Sequence, residues 1–423
     1  MKEIFYPTLN ERLFKTVLPN GLRILVQPRK GFSRKIAYFV TDYGSVHTNF
    51  TMVCEDFRAP DGVAHYLEHK LFDMPEGDVT EAFSAMGAMP NAFTSNGMTA
   101  YFFTCTEHFE RCLELLLKFV STPYFTEESV AKEQGIIAQE IDMNLDNPYY
   151  MCYVNLMEMM YRNHPARVSV LGSVESISQI TPQTLLDCHR AFYHPSNMLL
   201  CVVGDVDPQA VAAMAKRVLG NDFAPDVERQ RHWDEEMTCP EAYREMKMQV
   251  ASKGFQMGFK CEPLPNGEEG FRAETVGTLA LEALVGESSA LYLKLYEEGI
   301  IDGSFGASFD TLEDLAMVSM GGDAEQPEVI RDAVLAEAQR IAREGISHED
   351  LQRLKRSAMG RRLRQLDSFD GTCNNLAVYE LLDYDFFEFP QIYEKITGEE
   401  LCEFLRRVFT PERCAVSVVL PLD

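Results

Sequence analysis

The sequence predicts an α+β fold of two homologous halves, each a largely antiparallel sheet with helices packed on one face. Three observations lead there. Strand-like and helical patterns follow one another in blocks instead of regular strand–helix pairs. A charged stretch with two prolines and weak apolar periodicity, residues 221–246, sits near the middle. Segments on either side of it repeat one another. The expected organisation is an N-terminal domain over residues 1–220, a linker over 221–246 and a C-terminal homologous domain over 247–423.

The elements read in order as follows. "KTVLPNGLRILVQP" is a hairpin, because Asn20-Gly21 is a type I′ turn pair between two apolar runs. "KIAYFVTDYGS" is a third strand ending at Gly44. The stretch after Asp61 is helical, with Val63, Ala64, Leu67, Leu71 and Phe72 at helical spacing. "NAFTSNGMTAYFFTC" is strand-like, rich in threonine and aromatic residues. "HFERCLELLLKFVSTP" is an amphipathic helix stopped by Pro123. "TEESVAKEQGIIAQEIDMNLDNP" is another, capped by Thr126 and followed by Pro148, with Ile136 and Ile137 forming its buried stripe. "TPQTLLDCHRAFYHPSNMLLCVVGDVDP" is a helix leading into a buried strand.

The repeat is clearest in that last stretch. Residues 180–195, "ITPQTLLDCHRAFYHP", align without gaps with 396–411, "ITGEELCEFLRRVFTP", and each leads into a valine-rich strand. A fainter echo sets "DGVAHYLEHKLF" against "VGESSALYLKLY", so that His65, Glu68 and His69 face Ser289, Tyr292 and Leu293. On this reading the second half repeats the architecture without its polar cluster.

Composition narrows the function. The 423 residues are 46% hydrophobic, enough for a large core. The formal net charge of -26 repels phosphate backbones and argues against nucleic acid as a partner, while basic peptides would be attracted. The N-terminal residues lack the apolar core of a signal peptide, and no apolar run approaches membrane-spanning length. The eleven cysteines are scattered with no C-x-x-C, as expected of reduced thiols in a cytoplasmic protein. No P-loop, dinucleotide fingerprint or G-x-S-x-G elbow stands out, which leaves little support for a hydrolase of another substrate class.

The chemistry-bearing stretch is "DGVAHYLEHKLF", a H-x-x-E-H string in a chain with nine histidines. On a helix, His65, Glu68 and His69 fall within an arc of about 100°. Two imidazoles one turn apart can grip one zinc ion, and Glu68 lies where a general base for an adjacent water belongs. Catalytic zinc usually takes a third protein ligand. "KEQGIIAQEI" offers Glu133 and Glu140 on one face two turns apart, and spacing alone does not choose between them. Taken singly, either reads as an exposed helix carboxylate.

The chain resembles the insulinase/pitrilysin family of inverted-motif zinc peptidases, which includes the mitochondrial processing peptidases. "LPNGLRILVQP", "YGS", "GVAHYLEHKLF", "NAFTSNGMTAY", "KEQGIIAQEI", "LGSVESISQIT" and "YHPSNMLLCVVGDVDP" follow the family's order and spacing over residues 10–210 and, more loosely, beyond. The short bacterial members with two repeat domains are the best match. The resemblance implies one zinc per chain on His65, His69 and Glu140, with Glu68 as the base and Glu133 as the carboxylate that orients the site. It implies that "NAFTS" is the edge strand that receives a peptide, with Asn91 and Ala92 on the substrate backbone. It also implies an endopeptidase acting on extended peptides inside a two-domain chamber.

One departure bears on partners. Self-sufficient members carry a substrate-binding Arg and Tyr in a segment resembling "GESSALYLKLYEEGIIDGSF", where this chain has Tyr296 and Asp302. The resemblance therefore implies a heterodimer with a homologous zinc-less subunit that carries the Arg/Tyr pair. The alternative is a non-catalytic peptide-binding or assembly subunit on the same fold, against which the complete His65, Glu68, His69 and Glu140 set argues.

Overall fold

Strands that are apolar without alternation set the architecture, because they must be covered on both faces. Lys35–Thr41 is buried at every position after Lys35, Met198–Gly204 throughout, and Cys414–Pro421 over its first six residues. The computed structural model describes residues 1–75, 77–221 and 224–422. It forms two compact units, and each of these strands lies inside a sheet.

The first unit holds a seven-stranded sheet in the order Lys2–Tyr6, Glu11–Val17, Arg23–Pro28, Met198–Gly204, Lys35–Thr41, Thr99–Cys105, Met89–Thr94. Its one parallel pairing joins Met198–Gly204 to Arg23–Pro28. The second unit holds a five-stranded sheet in the order Tyr243–Met248, Cys414–Pro421, Gly254–Cys261, Leu315–Asp323, Gly306–Leu312. Its one parallel pairing, Tyr243–Met248 with Cys414–Pro421, falls at the equivalent place. The five strands from Arg23–Pro28 to Met89–Thr94 therefore recur in order and direction. The aligned helices Pro182–Phe192 and Gly398–Val408 are both capped by threonine, Thr181 accepting from Thr184 N and Thr397 from Glu400 N. The fainter echo does not survive: Ser289 is the N-cap of helix Ala290–Glu297, not a helical residue. By element order, Val63–Leu71 corresponds to Gly267–Val285, and Val79–Ala85 to Ala290–Glu297.

The α+β class holds, with one correction to the expected layering. Helices cover both faces of the sheets. In the first unit, Ala37, Phe39, Tyr101 and Phe103 pack into one core with Tyr66, Leu67, Leu113, Phe119 and Phe192. On the opposite face, helix Phe369–Leu381 lies against Lys35–Thr41 and Met198–Gly204, where the Tyr38 hydroxyl donates to Asp370 Oδ1 at 2.7 Å. In the second unit, helix Pro148–Met160 covers Gly254–Cys261 and Cys414–Pro421, with Cys152 Sγ donating to Ser417 O at 3.1 Å. Gly258 admits this helix, since a Cβ there would meet Met160 Sδ at 2.3 Å.

Each of these covering helices comes from the other half of the sequence. The first unit comprises Met1–Ile141, Ser169–Gln230 and Leu363–Glu388; the second comprises Asp142–Val168, Arg231–Arg362 and Phe389 onward. The compact units thus differ from the contiguous ranges 1–220 and 247–423. The stretch 221–246, of which residues 222 and 223 lie outside the described ones, is anchored along much of its length. Val227–Arg229 pairs with Asn49–Met52, and the Arg229 guanidinium meets Asp42. Beyond residue 230, Trp233 N donates to Asp314 Oδ2 at 2.7 Å, and Glu235 pairs with the buried Lys260 at 3.2 Å. No helix among the described residues is long and apolar enough to cross a membrane.

Helix Pro182–Phe192 makes stability depend on pH. His189 is buried, stacks on Tyr193 with ring centroids 4.7 Å apart, and its Nε2–H donates to Val120 O at 2.9 Å. Burial, opposed only by that hydrogen bond, lowers its pKa to about 4. The unfolded chain takes up this proton near pH 6.5 and the folded chain only near pH 4. This contribution is therefore complete above pH 6.5 and is lost as pH falls toward 4, on the order of 3 kcal/mol in all. Urea unfolding at pH 7 and pH 4.5 should show His189→Gln losing less stability on acidification than the parent. Parallel losses would exclude the neutral imidazole as the source.

Candidate active site

The helix Val63–Leu71 starts where two backbones touch. Gly62 has φ 88° and Gly172 has φ 72°, both left-handed. A Cβ on Gly62 would lie 2.4 Å from Leu171 O, and one on Gly172 would lie 2.4 Å from Asp61 O. Ser176 Oγ donates to Asp61 O at 2.8 Å across the same contact. The stretch "LGSVESISQIT" is thus the seat of the H-x-x-E-H helix. Val63, Ala64, Tyr66, Leu67 and Leu71 bury the rest of the helix in the core and leave His65, Glu68 and His69 on the remaining face.

The second helix, Glu127–Leu145, is capped by Thr126, whose Oγ1 accepts from Ser129 N at 3.1 Å. Val130, Ile137 and Ile141 form its buried stripe; Ile136, expected in that stripe, is 45% exposed. The Tyr66 hydroxyl donates to the Val130 carbonyl and ties the two helices together. Positions 133 and 140 then face the histidines one behind the other.

His65 Nε2 lies 3.7 Å and His69 Nε2 3.5 Å from Glu140 Oε2. One ligand atom from each of the three residues falls within 4.8 Å of the others, the one such group among the described residues. Glu133 stands behind His69, with Oε1 3.0 Å from Nδ1. The structure thus separates the two carboxylates that spacing left equivalent.

The donor chemistry fits a zinc ion. Burial and the neighbouring His69 lower the pKa of His65 to about 3, so His65 is neutral and offers a lone pair. Burial alone would lower His69 as well, but its bond to Glu133 and the charges of Glu68, Glu133 and Glu140 outweigh this and raise it. The same bond commits the Nδ1 proton of neutral His69 to Glu133 and leaves Nε2 bare toward Glu140. Two imidazole nitrogens and a carboxylate oxygen are the ligand types zinc takes in open, three-residue sites.

Glu68 lies beside the cluster without belonging to it. It is buried, and burial raises its pKa against the opposing hydrogen bond from Thr94, whose Oγ1 donates to Oε2 at 2.9 Å. Thr94 ends the edge strand Met89–Thr94, which pairs only with Thr99–Cys105. The segment read as one strand is therefore a hairpin. Its ladder alternates from the bond Ser95 N to Met98 O, so Ala92 and Thr94 direct their N–H and C=O groups to the open edge. Asn91 Oδ1 accepts from the outward Ala92 N–H at 2.8 Å. The side chains of Asn91 and Ala92 point to opposite faces, with Ala92 and Thr94 on the face of Tyr101 and the metal helix. In the second unit, Tyr296 is exposed and stacks on Tyr292, and Asp302 Oδ1 accepts from Ser304 N at 2.8 Å.

A buried H-x-x-E-H helix clasped to a helix carrying a third ligand, beside an open sheet edge, defines a protein of the zinc-peptidase class. Residues 54–174 match the family model for insulinase (peptidase family M16), and residues 179–358 match that for the peptidase M16 inactive domain. The chain is 38% identical over 427 residues to YmfH, an uncharacterised zinc protease of Bacillus subtilis, covering 100% of this chain and 99% of that one. It is 25% identical over 224 residues to the mitochondrial-processing peptidase subunit beta of Caenorhabditis elegans, covering 52% of this chain and 46% of that one. The crystal structure of an M16-like peptidase from Alicyclobacillus acidocaldarius superposes with a TM-score of 0.93 at 33% identity, covering 97% of this chain and 99% of that one. The chain belongs to the insulinase (M16) peptidase family. YmfH is named a zinc protease and the Caenorhabditis elegans relative a processing-peptidase subunit, and at the level of the family this supports a peptidase function.

Sequence reasoning passed over Thr94, Tyr66 and the Gly62–Gly172 contact. Thr94 was the most accessible of these, since period-two alternation in "NAFT" puts it on the face of Ala92. The glycine contact generates a prediction. A left-handed alanine costs ~1–2 kcal/mol before any clash, so Gly172→Ala should destabilise the protein by ~2 kcal/mol or more. Urea unfolding measures this. A loss below ~0.5 kcal/mol, the range of an ordinary surface change, would mean the two loops are not seated on each other.

Proposed function

We propose that this chain is a zinc-dependent endopeptidase that hydrolyses extended peptides or short unfolded polypeptides. One zinc per chain is held by His65, His69 and Glu140. Glu68 is the general base, Glu133 orients His69 from behind, and Asn91 and Ala92 meet the substrate backbone. The observation that carries this reading is the convergence of three metal-ligating side chains on one point, with a buried carboxylate next to it.

Zinc, when bound, supplies a Lewis acid that polarises the scissile carbonyl and acidifies an adjacent water. Glu68 takes the proton of the attacking water and passes it to the leaving amine, a task favoured by its raised affinity for protons. Glu133 holds the His69 ring by Nδ1 and keeps Nε2 aimed at the cluster. The outward N–H and C=O groups of Ala92 pair with an extended peptide once the Asn91 side chain gives way. Folded substrates are disfavoured because their main-chain groups are already bonded.

Zinc analysis of protein purified without chelator should give near one ion per chain. Glu68→Gln should keep it while cleavage of a mixture of unstructured peptides, followed by mass spectrometry, falls at least ~100-fold. Glu133→Gln should weaken zinc binding ~10–100-fold. Cleavage at the parent rate in Glu68→Gln would remove the base assignment. A metal-free parent would favour the non-catalytic peptide-binding subunit.

The same reading places the protein in the cytoplasm, as one member of a heterodimer. Its support is that Tyr296 and Asp302 stand where self-sufficient members carry Arg and Tyr. Purification of the tagged chain from its native host should bring down a homologous zinc-less chain that carries the pair. A chain that purifies alone and cleaves peptides unaided would overturn the heterodimer.

A further inference from the structure

Thr94 belongs to two structures at once. Its backbone N–H and C=O face the open edge of the sheet, and its side chain turns inward to Glu68. Among the described residues, the Thr94 hydroxyl makes the one hydrogen bond to the Glu68 carboxylate, on Oε2 at 2.9 Å. Because a carboxylate is planar, a hydrogen bond on Oε2 also limits where Oε1 can point. The hydroxyl is itself constrained. Thr99 sits opposite Thr94 in the hairpin, is fully buried, and donates its own Oγ1 proton to Tyr43 O at 2.9 Å. Its Oγ1 lies 3.5 Å from that of Thr94, a much longer contact than the one Thr94 makes with Glu68. The Thr94 proton goes to Glu68 Oε2, the closer acceptor and a carboxylate, at 2.9 Å.

We propose that Thr94 is the positioning residue of Glu68, holding Oε2 so that Oε1 faces the reacting water, and coupling the attitude of the base to the strand that receives the substrate. The proposal rests on the reading of Glu68 as the base. A peptide that pairs with the open edge engages the backbone of Ala92 and Thr94 directly. The residue that carries the substrate's register is then the residue that aims the base. Misplacement of a base by a fraction of an ångström costs rate while leaving binding in place.

The test uses the full zinc-loaded chain and two substitutions. Thr94→Val keeps the shape and the β-branch and removes the donor; Thr94→Ser keeps the donor. With the same unstructured peptides, Thr94→Val should lower kcat at least tenfold with KM within twofold of the parent, and Thr94→Ser should recover kcat to within threefold. Zinc content should be the same in all three. A second readout does not depend on turnover: crystal structures of the zinc-bound parent and Thr94→Val should show the Glu68 carboxylate rotated in the variant. An unmoved carboxylate, or equal losses in the valine and serine variants, overturns the proposal. A parent that cleaves nothing, with Glu68 still rotated in Thr94→Val, sinks the peptidase reading and leaves the positioning role standing.

Discussion

The clasp between helices Val63–Leu71 and Glu127–Leu145 is the constraint on which the site depends. Buried imidazoles and carboxylates are costly unless each finds a partner. Here the pairing is done by the scaffold. The Tyr66 hydroxyl on the Val130 carbonyl sets how the helices lie, and His69 on Glu133 sets their rotation. Once both are in place, Glu140 arrives two turns later at the two Nε2 atoms. The seat at Gly62 and Gly172 fixes the other end of the first helix, so its position along its axis is determined as well.

The site was legible in the sequence wherever it depended on local spacing. Residues three and four apart on a helix share a face whatever surrounds them, so His65, Glu68 and His69 could be grouped at once. Glu133 and Glu140 could be put on one face by the same argument, but not told apart, because their difference is a matter of which reaches the histidines across a helix pair. Thr94 is 26 residues from Glu68 and Gly172 is far beyond Gly62, and contacts at such separations leave no periodic trace. The fold divides in the same way. The hairpin at Asn20-Gly21 and the threonine caps are local and readable, although only Gly21 of that pair is left-handed and the loop spans residues 19–21, so the turn is not the type I′ pair expected. The sheet of Asn49–Met52, Glu55–Arg58 and Val227–Arg229 is made of strands too short to show alternation. The second helical cover was announced by the uninterrupted apolar runs "IAYFV" and "MLLCVVG", but its source lies far along the chain.

The repeat shows how a fold can recur strand by strand while, among the described residues, a metal-ligating cluster stands in one copy. Met198–Gly204 and Cys414–Pro421 each have one parallel and one antiparallel neighbour, and each is preceded by a threonine-capped helix. The helix that holds the histidines has a counterpart of twice its length, Gly267–Val285, with neither histidine nor metal cluster among the described residues. Strand pairing tolerates this divergence because main-chain hydrogen bonds do not read side chains. A metal site does not tolerate it, since each ligand atom must be supplied by a particular residue.

The exchanged helices have a consequence for the order in which the protein can be completed during synthesis. Translation delivers the whole metal cluster by residue 140, yet the second face of the sheet beneath it waits for Phe369–Leu381. A ribosome partway through the message therefore carries a chain whose ligands exist but whose central strands, Lys35–Thr41 and Met198–Gly204, are bare on one side. The N-terminal half is not an autonomous piece that the C-terminal half merely follows. It remains unfinished until nearly the last stretch of chain emerges, and a protein truncated near residue 220 would keep its ligand set while presenting an apolar sheet to the solvent.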